Sequence, residues 1–224
     1  MTTTDTPLVL VPGVPETAAA WGPMREHLGR ADVRTLSPPG FGAPLPDGFG
    51  ATYAEYHDWL VAELEAIGRP VDLVGHDWGG GHVVGVAMRR PDLLRSWASD
   101  ALGAYDPGYA WHELAQRWAD PIGGDAAVMR LMTGTRTRRT MSMVVRGVRD
   151  AQVASAMAAD QGPEMGRAML GLYRSTAQPA MARLGRELEG AARRPGLCIL
   201  ATRDTVAGTE EQRRRSAARA AAEV

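Results

Sequence analysis

The run Val71-Asp72-Leu73-Val74-Gly75-His76-Asp77-Trp78-Gly79-Gly80 holds the residues best suited to chemistry. An apolar run, a glycine, an acid, a second glycine and a helix-like stretch follow in the order that lets a strand bend abruptly into a helix. A side chain at the apex of such a turn stands clear of the sheet. The backbone N–H of Trp78, opening the helix, faces any negative charge that develops there. These residue types point to Asp77 as a carboxylate nucleophile. The plainer alternative is an aspartate that caps the following helix.

Such a turn needs a sheet to carry it, and the chain supplies one. Short apolar runs alternate with longer segments of helical period, the pattern of a parallel sheet covered by helices, which makes the fold class α/β. Strands are expected at Leu8 to Val11, Val33 to Leu36, Val71 to Val74, Trp97 to Leu102 and Leu197 to Ala201. Helices are expected at Thr17 to Leu28, Thr52 to Ile67, Gly80 to Met88, Met181 to Leu188 and Glu210 to Ala222. From Gly103 to about Gln178 the strand rhythm stops in favour of Met-rich helical sequence broken by Pro121, Gly123-Gly124 and Gly162-Pro163. The expectation is a core of residues 1–102 and 179–224 with a helical cap, 103–178, inserted into it.

Composition narrows the function classes. With 224 residues, 45% of them apolar and 23% charged, the chain suits one sizeable soluble domain. Lys plus Arg (25) nearly cancel Asp plus Glu (26), so no global field draws it to nucleic acid or an anionic membrane. The expected partner is a small apolar organic molecule, with a homo-oligomer left open. The single cysteine, Cys198, lies in an apolar run and reads as a buried thiol. No cofactor fingerprint or metal-ligand spacing appears. Met1 to Asp5 lacks the basic start and apolar stretch of a secretory signal, and no run approaches the roughly 20 apolar residues of a membrane span, so a cytoplasmic location is expected.

Gly75-His76-Asp77-Trp78-Gly79-Gly80 resembles the nucleophile turn of α/β-hydrolase-fold enzymes of the epoxide hydrolase type and, less closely, haloalkane dehalogenases. Other stretches agree in order. Pro12-Gly13-Val14-Pro15-Glu16 resembles the oxyanion loop, and Pro38-Pro39-Gly40-Phe41-Gly42 the turn after the next strand. Ala201-Thr202-Arg203-Asp204 is similar to the strand end that carries the triad acid, and Gly171-Leu172-Tyr173-Arg174 to a cap Tyr-Arg pair. The resemblance implies attack by Asp77 on an oxirane carbon while the Tyr173 hydroxyl stabilises the opening oxygen, giving a covalent ester. Water activated by a histidine that Asp204 orients would then cleave the ester, with Val14 and Trp78 N–H groups as the oxyanion hole. Tyr109, Trp111, His112 and Trp118 are the candidate pocket residues; each is also a plausible packing residue of a helical cap.

Three departures from the family pattern stand out. Pro12 occupies the place of the oxyanion-loop histidine and brings no donor. The first cap tyrosine is missing before Trp118, where Leu114, Ala115 and Gln116 stand, leaving Tyr109 or His112 as substitutes. No histidine follows Asp204: all five (His27, His57, His76, His82, His112) precede it, so the triad base is missing. The expectation is a C-terminal truncation that removes the base together with the last strand and leaves Leu197 to Ala201 as an uncovered apolar edge. His76 is expected to point along the other side of the turn. Asp100, at the end of an earlier strand, is the alternative triad acid. Haloalkane dehalogenation and a non-hydrolytic ligand-binding protein on the same scaffold are the competing functions.

Overall fold

A computed structural model describes residues 6–224; the expectation for Met1 to Asp5 lies outside the described residues. Five parallel strands form one sheet in the order β2-β1-β3-β4-β5. β1 (Leu8–Val11) is buried throughout, as a central strand covered on both faces must be. It pairs with β2 (Val33–Thr35) on one side and β3 (Val71–Gly75) on the other. The helix expected from Thr17 is a 3-10 turn, Ala18–Trp21, running into α1 (Gly22–Leu28), where Pro23 in the first turn sets the restart. α2 (Tyr53–Ile67) starts on a Thr52–Glu55 capping box and stops at Gly68, whose φ of 76° only glycine adopts cheaply.

α3 (Trp78–Arg89) carries three consecutive glycines, poor helix formers by themselves. Packing explains them. A Cβ on Gly79 would run into the backbone carbonyls of Val11 and Pro12, so glycine lets α3 lie directly on β1. Val83, Val84, Val86 and Ala87 are fully buried on this helix and hold it to the sheet. β4 is Leu94–Ser99, three residues earlier than the expected Trp97 to Leu102; the apolar tail of that run forms a 3-10 turn, Leu102–Tyr105, instead.

Between β4 and β5 the described residues are helical: α4 (Glu113–Ala119), α5 (Gly124–Met132), α6 (Arg136–Val145), α7 (Ala151–Asp160), α8 (Pro163–Ser175) and α9 (Ala180–Leu184), the last continued by a 3-10 stretch to Arg193. Met132, Met165 and Met169 pack with Trp118, Leu172 and Tyr173 in one apolar cluster, and Met143 and Met157 in a smaller one, so these methionines fill cores. Met141 is largely exposed. Among the described residues no helix is long and apolar enough to cross a membrane.

β5 (Gly196–Cys198) is shorter than expected, and its edge is not bare. The Cys198 N–H donates to the Glu223 carbonyl at 2.7 Å and the Glu223 N–H to the Gly196 carbonyl at 2.9 Å, so the segment after α10 (Glu210–Arg219) lies against β5 and corrects the expectation of an uncovered edge. Cys198 is fully buried, as expected. The loops that leave β1, β3, β4 and β5 all open at the carboxyl ends of the strands, where parallel sheets place their ligands.

Candidate active site

Asp77 sits where β3 turns into α3, with φ 51° and ψ −123°, a backbone setting that costs energy in any residue with a Cβ. The turn closes because Gly75 has no side chain to meet the Gly79 backbone. Asp77 makes no side-chain capping bond to α3, which sets aside the capping alternative. Its carboxylate points instead to the loop after β1. The Val14 N–H donates to Oδ2 at 2.9 Å, and the Trp78 N–H favours the same charged group. Gly13 is required at this approach, since a Cβ there would stand 2.6 Å from that of Asp77. The two amides expected to form an oxyanion hole thus both serve the Asp77 carboxylate, Val14 through Oδ2. Burial pushes the Asp77 carboxyl up to about 6, against the opposing pull of positive His76 and the two amides.

His76 is placed differently from expectation. Its ring lies between two carboxylates, with Nδ1 2.5 Å from Asp100 Oδ2 and Nε2 3.5 Å from Glu16 Oε1, beside Asp77 and on the wall of the same cleft. Burial works against charge on the ring, but Asp100 and Glu16 outweigh it and raise its pKa well above the usual histidine range. His76 is therefore an imidazolium with both nitrogens occupied, an electrostatic neighbour of Asp77 and not a base. Asp100 ties the turn together: its other oxygen, Oδ1, accepts the Asp77 backbone N–H at 2.9 Å.

Asp204 lines the cleft with Asp77, but its carboxylate is already engaged. Arg213, buried on α10, stands 2.9 Å from Oδ2, and the Val206 N–H donates to Oδ1 at 2.7 Å. Arg213 also binds the carbonyls of Ala201 and Asp204 at 2.8 and 2.7 Å, so one guanidinium shapes the whole loop after β5. None of the other histidines stands ready as a base beside Asp77. His27 bonds the Pro23 carbonyl on α1. His57 and His82 are buried, and burial drives His82 down to about 3. His112 lines the cleft, yet its Nδ1 accepts the Ala115 N–H at 3.3 Å as the cap of α4, which puts the neutral ring's proton on Nε2. Burial lowers the His112 pKa, and Asp204 partly counters this.

Above Asp77 the helical segment supplies aromatic walls. Trp111 lies 5.5 Å from Trp78 and 5.6 Å from Tyr173 between ring centroids, and Tyr173 lies 5.6 Å from Trp78 and 5.1 Å from Trp118. Asp77, Trp78, Tyr109, Trp111, His112 and Tyr173 border a pocket of about 420 Å³ of atom-free space. A wider cleft, shared by Asp77, His112, Trp118 and Tyr173, opens beside it. The Tyr109 hydroxyl donates to the Val206 carbonyl at 2.8 Å, so its proton is committed. The Tyr173 hydroxyl lies against Trp78. Burial first, then the Asp77 charge, raises its pKa well above the ordinary tyrosine value, so it is a neutral donor at any working pH.

The sequence reading placed Asp77, Val14, Trp78, Tyr173, Tyr109, Trp111, His112, Trp118 and Asp204 around one site, and the structure brings all nine to the same pair of clefts. It missed Glu16 and the bridging role of His76. The only sequence signal for them was a carboxylate at the end of the Pro12 to Glu16 loop and a histidine beside the apex.

A family model described as "Alpha/beta hydrolase family" matches residues 8–224. A curated relative, (E)-2-((N-methylformamido)methylene)succinate hydrolase of Acinetobacter baylyi, is 34% identical over 94 residues, which span 41% of this chain and only 36% of that protein. Among solved structures, haloalkane dehalogenase DbeA from Bradyrhizobium elkani superposes with a TM-score of 0.71 at 17% identity, covering 97% of this chain and 80% of that one. A candidate epoxide hydrolase from Pseudomonas aeruginosa gives 0.68 at 18% identity over 92% and 76%. At such identities the likeness is one of fold. With the parallel sheet, the strand-to-helix turn at Asp77 and a family match over almost its full length, this chain belongs to the alpha/beta hydrolase family.

Proposed function

We propose that the protein opens an epoxide through an ester on Asp77. The observation that carries this reading is the setting of one carboxylate. Val14 holds its Oδ2, and Asp77 borders the same aromatic pocket as the hydroxyl-bearing ring of Tyr173. Oδ1 attacks an oxirane carbon, the C–O bond breaks, and the leaving oxygen takes the Tyr173 proton, which solvent restores. Oδ2 becomes the ester carbonyl oxygen, already seated where the charge of a tetrahedral intermediate would develop. The helical segment 103–178 acts as the cap that encloses the organic body of the substrate. In the second half, water must attack the ester carbon with help from a base. His76 is cationic and His112 presents an N–H, so this half is the slower one.

Haloalkane dehalogenation fits less well. A departing halide needs two N–H donors; Val14 brings no side-chain donor, and the Trp78 indole faces Tyr173. A single experiment separates the readings. Intact-mass spectrometry after treatment with a reactive epoxide should show about one equivalent of adduct, mapped to Asp77 and absent from Asp77→Asn. Tyr173→Phe should slow adduct formation by about ten- to a thousandfold, the scale of losing one donor aimed at developing charge. Halide release from a haloalkane without epoxide capture would replace this reading with the dehalogenase. Neither reaction would favour a ligand-binding protein on the same scaffold.

A further inference from the structure

Four arginines converge on one groove that the chemistry at Asp77 does not use. Arg117 of α4, Arg130 of α5, Arg138 of α6 and Arg146, just after α6, border about 710 Å³ of open space together with Leu114 and Trp118. Among the described residues none of the four is paired with a carboxylate; Arg146 donates a hydrogen bond to the Ser142 hydroxyl, at 3.3 Å. Arg174, on the same segment, is by contrast paired with Asp125. Four guanidinium groups without a carboxylate partner around one depression make it positively charged, and an anion that entered would gain their attraction.

The groove adjoins the cleft at Asp77. Leu114, Trp118 and Arg146 line both. Arg146 lies 5.6 Å over the Trp118 ring, and burial lowers its pKa without a carboxylate to offset it. Trp118 in turn packs on Tyr173, the donor beside Asp77. An extended molecule could lie along this path with a charged group at one end and its reacting carbon at the other.

We infer that the groove binds the oxyanion group, a phosphate or a carboxylate, of a substrate whose reacting carbon lies at Asp77. Guanidinium forks match either group with paired N–H donors, and the substrate is then an amphipathic anion with an apolar body. The link to Asp77 rests on the function proposed above; anion binding by the groove does not.

The test has two arms. Calorimetry on the full chain with inorganic phosphate, pyrophosphate and succinate separates phosphate from carboxylate recognition. At least one should bind the unaltered chain and Asp77→Asn equally, and about tenfold more weakly in Arg130→Gln/Arg138→Gln. No binding at about 10 mM, or equal binding to the arginine variant, would overturn the groove as a site. In the second arm, an epoxide carrying the preferred anion and its neutral isostere compete for Asp77. Faster capture of the charged epoxide, lost in the arginine variant, is the expected result, and equal capture overturns the link. Capture of neither, with anion binding intact, overturns the Asp77 reading and leaves the groove as an anion site alone.

Discussion

Asp77 is held in an uncomfortable state, and that state is measurable. Its carboxyl is raised to about 6, so the folded chain binds more protons than the unfolded one between about pH 4 and 6. Stability from this group is therefore present at low pH and lost as pH rises through 6. By neutrality the cost is on the order of 3 kcal/mol. Asp77→Asn keeps the shape, tolerates the positive φ and removes the buried charge. We expect it to raise the melting temperature at pH 7 and to erase most of that gain near pH 4; a variant no more stable at pH 7 would show that the amides and His76 compensate fully. Attack at carbon needs the ionised form, so epoxide capture should fall away below about pH 6 in the unaltered chain.

At the scale of elements, the loop after β5 depends on Arg213 more than on the strand it follows. The strand contributes three residues, whereas the guanidinium binds two carbonyls of the loop and the Asp204 carboxylate. Val206 and Ala207 of that loop form part of the pocket wall, and the Tyr109 hydroxyl is anchored to it. Arg213→Met removes the donor from those partly buried acceptors and should cost about 2 kcal/mol. Thermal melting measures the loss. Limited proteolysis should then cut between residues 201 and 209 before elsewhere, and unchanged protection would assign the loop's order to other contacts.

Across the whole molecule, what could be read from sequence was what lies close along the chain. The Gly75 to Gly80 turn, the buried run of β1 and the Thr52 cap each carry their signal within a few residues. The His76 clasp could not be read, because Glu16, His76 and Asp100 follow three different strands and meet only once the sheet orders them. The same holds for the arginine groove: Arg117, Arg130, Arg138 and Arg146 look like ordinary solvated charges until α4, α5 and α6 turn them to one depression. β4 was misplaced because apolarity continues past its end into a 3-10 turn, a boundary set by tertiary packing. That unevenness of charge has a kinetic meaning that a net charge of −1 hides. Arginines without a carboxylate partner border the groove, while the acids of the cleft beside it are largely matched by His76 and Arg213, so positive potential is concentrated at the groove. An anionic ligand diffusing towards it would feel a torque before contact and arrive charged end first, its neutral end trailing towards the cleft. Added salt would blunt that orientation over a Debye length of about 8 Å and slow association while leaving the bound geometry alone.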